Sequence, residues 1–256
     1  MSISRADKLK TLMDEWQPRT VMTSARLKSL GITPQHVQKY VASNWVEPVG
    51  NGAFKRPNET LTWQGALHSL QTQLGLQVHV GALSALAAEG GAHFARPGGE
   101  AVFLFSESGV TLPKWFREYP WPDRVGLTQT KLLPPGLGVR ETVLGGFPLM
   151  AAAPESAILE ALHLAPKDID LVEVFQALEG LRTLRPKLMQ SLLEACGSIK
   201  VKRLFLYLAE RAALPVLSHL HRDRIALGKG DRTLMPGGAY VGKYGLILPK
   251  ELADHE

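Results

Sequence analysis

A single cysteine, Cys196, stands in the whole chain of 256 residues, and one thiol cannot close an internal disulfide. That excludes a disulfide-stapled secreted scaffold and a cysteine-rich zinc module, and it fits a reducing compartment. Long apolar runs are missing as well. The stretch from Ala82 to Ala88 is broken by Glu89 and Gly90, far short of the ~18 residues that a membrane span needs. Met1 to Lys10 holds three basic residues with no apolar stretch behind them. The chain is therefore expected to lack a secretory signal, to work in the cytoplasm and to have no membrane partner.

Phosphate and metal chemistry leave similar gaps. A phosphate-cradling loop needs Gly, four residues, then Gly-Lys followed by Ser or Thr, and Gly228-Lys229-Gly230 reads as a turn instead. Many DNA-cutting enzymes hold a divalent metal with an Asp and a later acid-x-Lys triplet, yet none of the 14 lysines has Asp or Glu two positions before it. A nucleotidyltransferase needs Gly-Ser followed closely by Asp-x-Asp, but here Asp168-Ile169-Asp170 precedes Gly197-Ser198. His219-Leu220-His221 with Asp223 would put three ligands on one face of a strand, with no further ligand nearby. His68, His79 and His93 show no spacing that would serve a nucleophile such as Cys196. No catalytic residue, metal or cofactor is assigned, and the chain is read as a non-enzyme. A metal-free enzyme acting on nucleic acid remains an open alternative.

What is present is an ordinary globular composition, 45% apolar and 21% charged, enough to bury a core and too apolar for a disordered chain. The net charge of +5 is unevenly spread. Residues 1–60 carry 9 Lys and Arg against 5 Asp and Glu, residues 61–180 carry 7 against 12, and residues 181–256 carry 13 against 7. A basic head and tail around an acidic middle suit a chain whose ends meet a polyanion.

The head has a specific pattern. Leu9, Leu12, Met13 and Trp16 recur at helical spacing, predicting a first helix from Ser4 to Glu15 that Pro18 ends. Thr23 caps a second helix, Ser24 to Leu30, and Gly31 closes it. After a tight turn Thr33 caps a third helix with Pro34 at its first position, where the missing N–H costs nothing. Val37, Tyr40 and Val41 form the inward stripe of this helix, which turns Gln35, Gln38, Lys39 and Ala42 outward, flanked by His36 and Ser43. That outer face has no acidic residue. Gln pairs bidentately with adenine edges, and Lys reaches guanine acceptors or phosphate. Trp45 to Arg56 then reads as two short strands around Gly50-Asn51-Gly52, with Lys55 and Arg56 at the end.

Three helices, a Gly-containing turn and a hairpin predict a winged helix-turn-helix over residues 1–60. The expected contacts to double-stranded DNA are Thr23, Ser24, Gln35, His36, Gln38 and Lys39, with Lys55 and Arg56 on phosphates. A winged helix used only for protein contact is the alternative.

Beyond residue 60 the pattern changes. Helices are predicted over 63–74 and 82–89, and strands over 78–81, 101–106, 125–130, 138–143 and 147–153, an α/β part with a mixed sheet ending at 153. From Pro154 the pattern is mainly helical, over 154–163, 168–178, 185–196 and 199–212, with a short β ending over 224–248. Lys200, Arg203, Tyr207 and Arg211 share one face of the last helix, which makes Lys200, Arg203 and Arg211 a candidate second basic surface. The fold class is α+β, with domains at 1–60 and 61–256.

Several motifs together carry a family resemblance. They are Leu30-Gly31-Ile32-Thr33, Gly50 to Arg56, Trp63 with Gly65-Ala66-Leu67, Leu74 to Gly81 and Leu112-Pro113-Lys114-Trp115. Pro154 to Glu160, Arg185-Pro186, Val201 to Leu206 and Pro236 to Tyr240 extend them almost to the end of the chain. The sequence resembles the AbiEi family of antitoxins from type IV toxin–antitoxin (abortive infection, phage defence) systems. The resemblance implies a DNA-binding repressor of its own promoter, acting on repeated half-sites, whose C-terminal domain opposes a cognate nucleotidyltransferase toxin. It leaves open whether neutralisation needs direct contact with that toxin.

Overall fold

The computed structural model describes residues 5–88 and 101–253. The predicted first residue of the first helix, Ser4, the predicted helix end at Glu89 with Gly90 behind it, and His93 lie outside the described residues.

The head forms α1 (Arg5–Glu15), β1 (Met22–Thr23), α2 (Ser24–Ser29), α3 (Pro34–Ala42), β2 (Glu47–Gly50) and β3 (Ala53–Lys55). The three strands make one antiparallel sheet in the order β1-β3-β2, with Met22 opposite Phe54 and Glu47 opposite Lys55. The predicted hairpin is there, and β1 is an addition to it. Leu12, Trp16, Met22, Leu27, Ile32, Tyr40 and Val46 bury themselves in one apolar cluster made entirely from this segment.

The rest begins with α4 (Trp63–Leu74), β4 (Val78–Val80), α5 (Ala82–Ala88), β5 (Ala101–Ser106), α6 (Lys114–Glu118), β6 (Arg124–Gln129), β7 (Val139–Leu144) and β8 (Phe147–Ala152). Their five-stranded mixed sheet runs β6-β5-β4-β8-β7. The β5–β6 and β4–β8 pairs are parallel, and β4–β5 and β7–β8 are antiparallel. Four helices follow: α7 (Pro154–Leu164), α8 (Leu171–Glu179), α9 (Pro186–Ala195) and α10 (Ile199–Arg211). The chain closes with β9 (Arg232–Thr233), β10 (Ala239–Val241) and β11 (Leu246–Leu248), a small sheet in the order β10-β11-β9.

α7 is apolar nearly all round, which is the pattern of a helix enclosed on every side. It packs against α5, α8, α9 and α10. Its charged residue Glu155, 2% exposed, accepts hydrogen bonds from the Arg185 backbone at 2.6 Å and from the Arg185 guanidinium at 3.0 and 2.8 Å. Burial pushes this carboxyl upward, and the hydrogen bonds and positive charge from Arg185 outweigh it, so Glu155 titrates below its ordinary value. A depressed carboxyl contributes stability that is present above the unfolded-state value and lost as the pH falls through the folded-state one. Glu155→Gln is therefore expected to lower stability at neutral pH by roughly 1–3 kcal/mol and to flatten the acid limb of the stability curve. Denaturant unfolding of both proteins from neutral pH down through the carboxylate range measures it, and parallel acid limbs would contradict it.

The head is joined firmly to α4. Val21 N–H donates to Ser69 Oγ at 3.1 Å, Thr23 N–H donates to Gln73 Oε1 at 2.9 Å, and Gln73 Nε2 donates to Val21 O at 2.7 Å. Val21 and Ala53 belong to the large apolar cluster that also holds Leu61, Trp63 and Leu67. The peptide strand leading into α2 is thus held by side chains of a helix beyond residue 60.

Candidate nucleic-acid interface

α3 stands where its caps put it. Thr33 Oγ1 accepts from His36 N–H at 3.4 Å, and Thr33 N–H donates back to His36 Nδ1 at 3.2 Å, a reciprocal cap with Pro34 at the first position. Gly31, at φ +70°, makes the reversal between α2 and α3, and Ile32 behind it is buried. Leu27, Ile32 and Tyr40 anchor the inner faces. Gln35, Gln38, Lys39 and Ala42 are exposed on the outer face, and the side chains of Gln35, Gln38 and Lys39 bond to nothing else among the described residues. His36 is half-buried with Nδ1 turned to Thr33.

One inward expectation for α3 is corrected. Val41 is 36% exposed, while Tyr40 is buried and Val37 half-buried, since position 41 lies about 100° round the helix from Tyr40.

Ser24 is exposed at the start of α2, and its N–H donates to Gly52 O at 2.9 Å, tying the helix to the turn between β2 and β3. Asn51 is exposed at the tip of that turn, and Gly52 adopts φ +76°. Lys28 is exposed one helical turn beyond Ser24, on the same face of α2. Neither Lys28 nor Asn51 was among the expected contacts, although the i, i+4 spacing from Ser24 and the turn's tip position were both legible.

Three of the expected contacts are not surface groups. Thr23 is 2% exposed, and its hydroxyl accepts Arg26 N–H at 3.2 Å as the cap of α2. The Lys55 ammonium, on a side chain 16% exposed, pairs with Glu47 at 3.2 Å and donates to Glu59 O at 3.0 Å. Arg56 donates to Met13 O at 2.7 Å and also to Trp16 O, so it satisfies the carbonyl end of α1. Lys55→Met is accordingly expected to leave the salt slope of DNA binding unchanged, since no released counterion belongs to this ammonium. A titration of binding against salt checks it, and a slope reduced by about one unit would return Lys55 to the phosphate contacts.

The second basic surface is likewise corrected. Lys200 Nζ donates to His163 O at 2.8 Å and to Ala165 O at 2.7 Å, and burial pushes its ammonium below the ordinary lysine value. Arg203 is 6% exposed and donates to Leu227 O at 2.8 Å, Gly230 O at 2.6 Å and Gly228 O at 3.2 Å. Arg211 donates to Leu252 O at 3.2 Å and to Glu251 O at 3.1 Å, and Tyr207 donates to Leu252 O at 2.6 Å. This face of α10 bonds the backbone at 227–230 and 251–252, and of the three basic residues Arg211 is still exposed. His219, His221 and Asp223 fall in and around two short 3-10 segments, Pro215–His219 and Arg222–Arg224, and not on one strand face. Among the described residues no group of three His, Cys, Asp or Glu side chains could hold a metal ion, and no helix is long and apolar enough to cross a membrane.

Two family models match the chain. Residues 5–96 match the N-terminal domain of the AbiEi antitoxin transcriptional regulators, and residues 99–249 match the AbiEi antitoxin transcriptional regulators of type IV toxin–antitoxin systems. No curated protein matches. In structure the chain is similar to the RV2827C protein from Mycobacterium tuberculosis, at 15% identity and a TM-score of 0.61 over 94% of this chain and 90% of that one. At this identity the likeness concerns the fold.

Proposed function

The chain belongs to the AbiEi antitoxin family of type IV toxin–antitoxin transcriptional regulators, and from that premise we propose that it represses its own promoter by binding double-stranded DNA through a winged helix-turn-helix in residues 1–60. α3 is the recognition helix, and the turn between β2 and β3 is the wing. The observation that carries the reading is the outer face of α3. Gln35, Gln38 and Lys39 point to solvent with no internal partner among the described residues, on a face without an acidic residue, and Ser24 and Lys28 of α2 are exposed as well. Lys39, Lys28 and Ser24 meet phosphates, and the two amides meet base edges. Two or more copies act on repeated half-sites, because one such module reads too few base pairs to single out an operator.

The remainder of the chain, residues 61–256, opposes a cognate nucleotidyltransferase toxin without catalysing a reaction itself. The division at residue 60 is one of function. Since β1 is held by Ser69 and Gln73, the two activities are best separated by surface substitutions and not by truncation. Cells carrying the neighbouring toxin gene and a chain with Gln35→Ala and Gln38→Ala are expected to grow as with the native chain while the promoter is derepressed. Death of those cells at normal protein levels would overturn the division.

A further inference from the structure

A cleft of about 210 Å³ lies on the five-stranded sheet, under the loop that joins β6 to β7, far along the chain from α3. Its walls include Leu76, Phe105, Leu132, Leu137, Val139 and Met150.

The floor is constructed around a buried carboxylate. Glu160, 4% exposed, accepts Ala82 N–H on Oε2 at 3.0 Å and faces His79 Nε2 with Oε1 at 2.7 Å. A Cβ at Gly81 would overlap both Glu160 Oε2 and the Phe105 ring, so glycine there leaves room for the carboxylate. The His79 ring stacks on Phe105, with centroids 5.9 Å apart. His79 thus gives Nε2 to Glu160, and its Nδ1 has no partner among the described residues.

The amides of Gln71 and Gln77 donate to Val78 O and Gly75 O, and other polar groups of the lining offer oxygens. Ser106 Oγ gives its proton to Glu107 O, Thr130 Oγ1 accepts Leu132 N–H at 3.1 Å, and the exposed Glu107 carboxylate stands at the mouth. No Lys or Arg is among the residues lining the cleft, while two glutamates are.

We propose that this cleft binds a small organic cation, an ammonium or amidinium group carried on an apolar stem or ring. Apolar walls take the body, and a set of acceptors under negative potential takes the N–H groups. A phosphate or carboxylate ligand would meet two glutamates and no Lys or Arg side chain, so the lining favours a cation over an anion.

Benzamidine and benzoate have the same size and shape and opposite charge, and they give a direct test by calorimetry on the full chain, with agmatine as an aliphatic cation. Benzamidine and agmatine are expected to bind and benzoate is not. Glu107→Gln, at the exposed mouth, should weaken both cations about fivefold, and Val139→Arg, which puts the protein's own guanidinium into the cleft, should abolish binding. If Val139→Arg does not fold, Glu107→Lys serves in its place and should weaken binding more than Glu107→Gln does. Equal binding of benzoate, undiminished binding to the variants, or no binding of either cation at millimolar concentration would overturn the assignment.

Discussion

Gln35→Ala and Gln38→Ala are each expected to remove about 1–3 kcal/mol of discrimination between the chain's own promoter and unrelated DNA, while binding to unrelated DNA barely changes. Thr33 and Pro34 fix where α3 starts, Tyr40 fixes which face is inside, and the helical repeat then leaves both amides on the outside. A glutamine on a solvated helix face contributes little to folding, so its removal leaves stability intact. Its two-pronged amide is, however, the shape that reads an adenine edge. Lys39→Ala should behave differently. It should weaken binding to all sequences alike and reduce the salt slope by about one unit, as loss of a phosphate contact does. Fluorescence anisotropy on promoter and scrambled duplexes at several salt concentrations separates the two patterns. Identical behaviour of the glutamine and lysine variants would mean that α3 does not lie in a groove.

Gly65→Ala is expected to destabilise the protein by about 1–3 kcal/mol, although alanine is the better helix former by about 1 kcal/mol. Gly65 sits in the first turn of α4, where an added Cβ would overlap Arg19 O and come within 3.1 Å of Phe147 Cζ. The carbonyl cannot retreat easily. Arg19 N–H donates to Glu59 at 2.7 Å, and the following residues are pinned by Ser69 and Gln73. For a chain of this length each kcal/mol lowers the unfolding midpoint by roughly 2–4 °C. Calorimetry reads the shift, and a midpoint at or above the native one would show that the head and α4 are not in this contact. Because β1 leads directly into α2, the same substitution should also weaken promoter binding.

Much of this arrangement was legible in local chemistry. The α4 helix was expected over 63–74 and the sheet strands from short apolar runs between Gly and Pro turns, and their observed bounds agree to a residue or two. Besides the two 3-10 segments, β1 and α6 escaped. β1 is two residues long and exists only because Met22 and Thr23 pair with β3. α6 spans five residues, less than two turns, too few for a periodic signal.

The charged residues were harder to place for a related reason. Lys200, Arg203 and Arg211 do share one face of α10, but a helical repeat says which residues lie together and not what faces them. Their partners are carbonyls 24 to 42 positions away for Arg203 alone, and long basic side chains readily bury their stems with the head bonded. Lys55 and Arg56 failed the same way, since the end of α1 and Glu59 needed folding to arrive beside them. Gln35, Gln38 and Lys39 were predictable because the face they occupy is decided within one helix by its own caps.

The most direct test of the account is equilibrium binding of the native chain and of the Gln35→Ala, Gln38→Ala double variant to a duplex of the chain's own promoter and to a scrambled duplex of equal length, at one fixed salt concentration. The native chain is expected to prefer its promoter by about a thousandfold or more, and the double variant to lose most of that preference while binding the scrambled duplex as before. A double variant that keeps the full preference would contradict the assignment of α3 as the element that reads DNA.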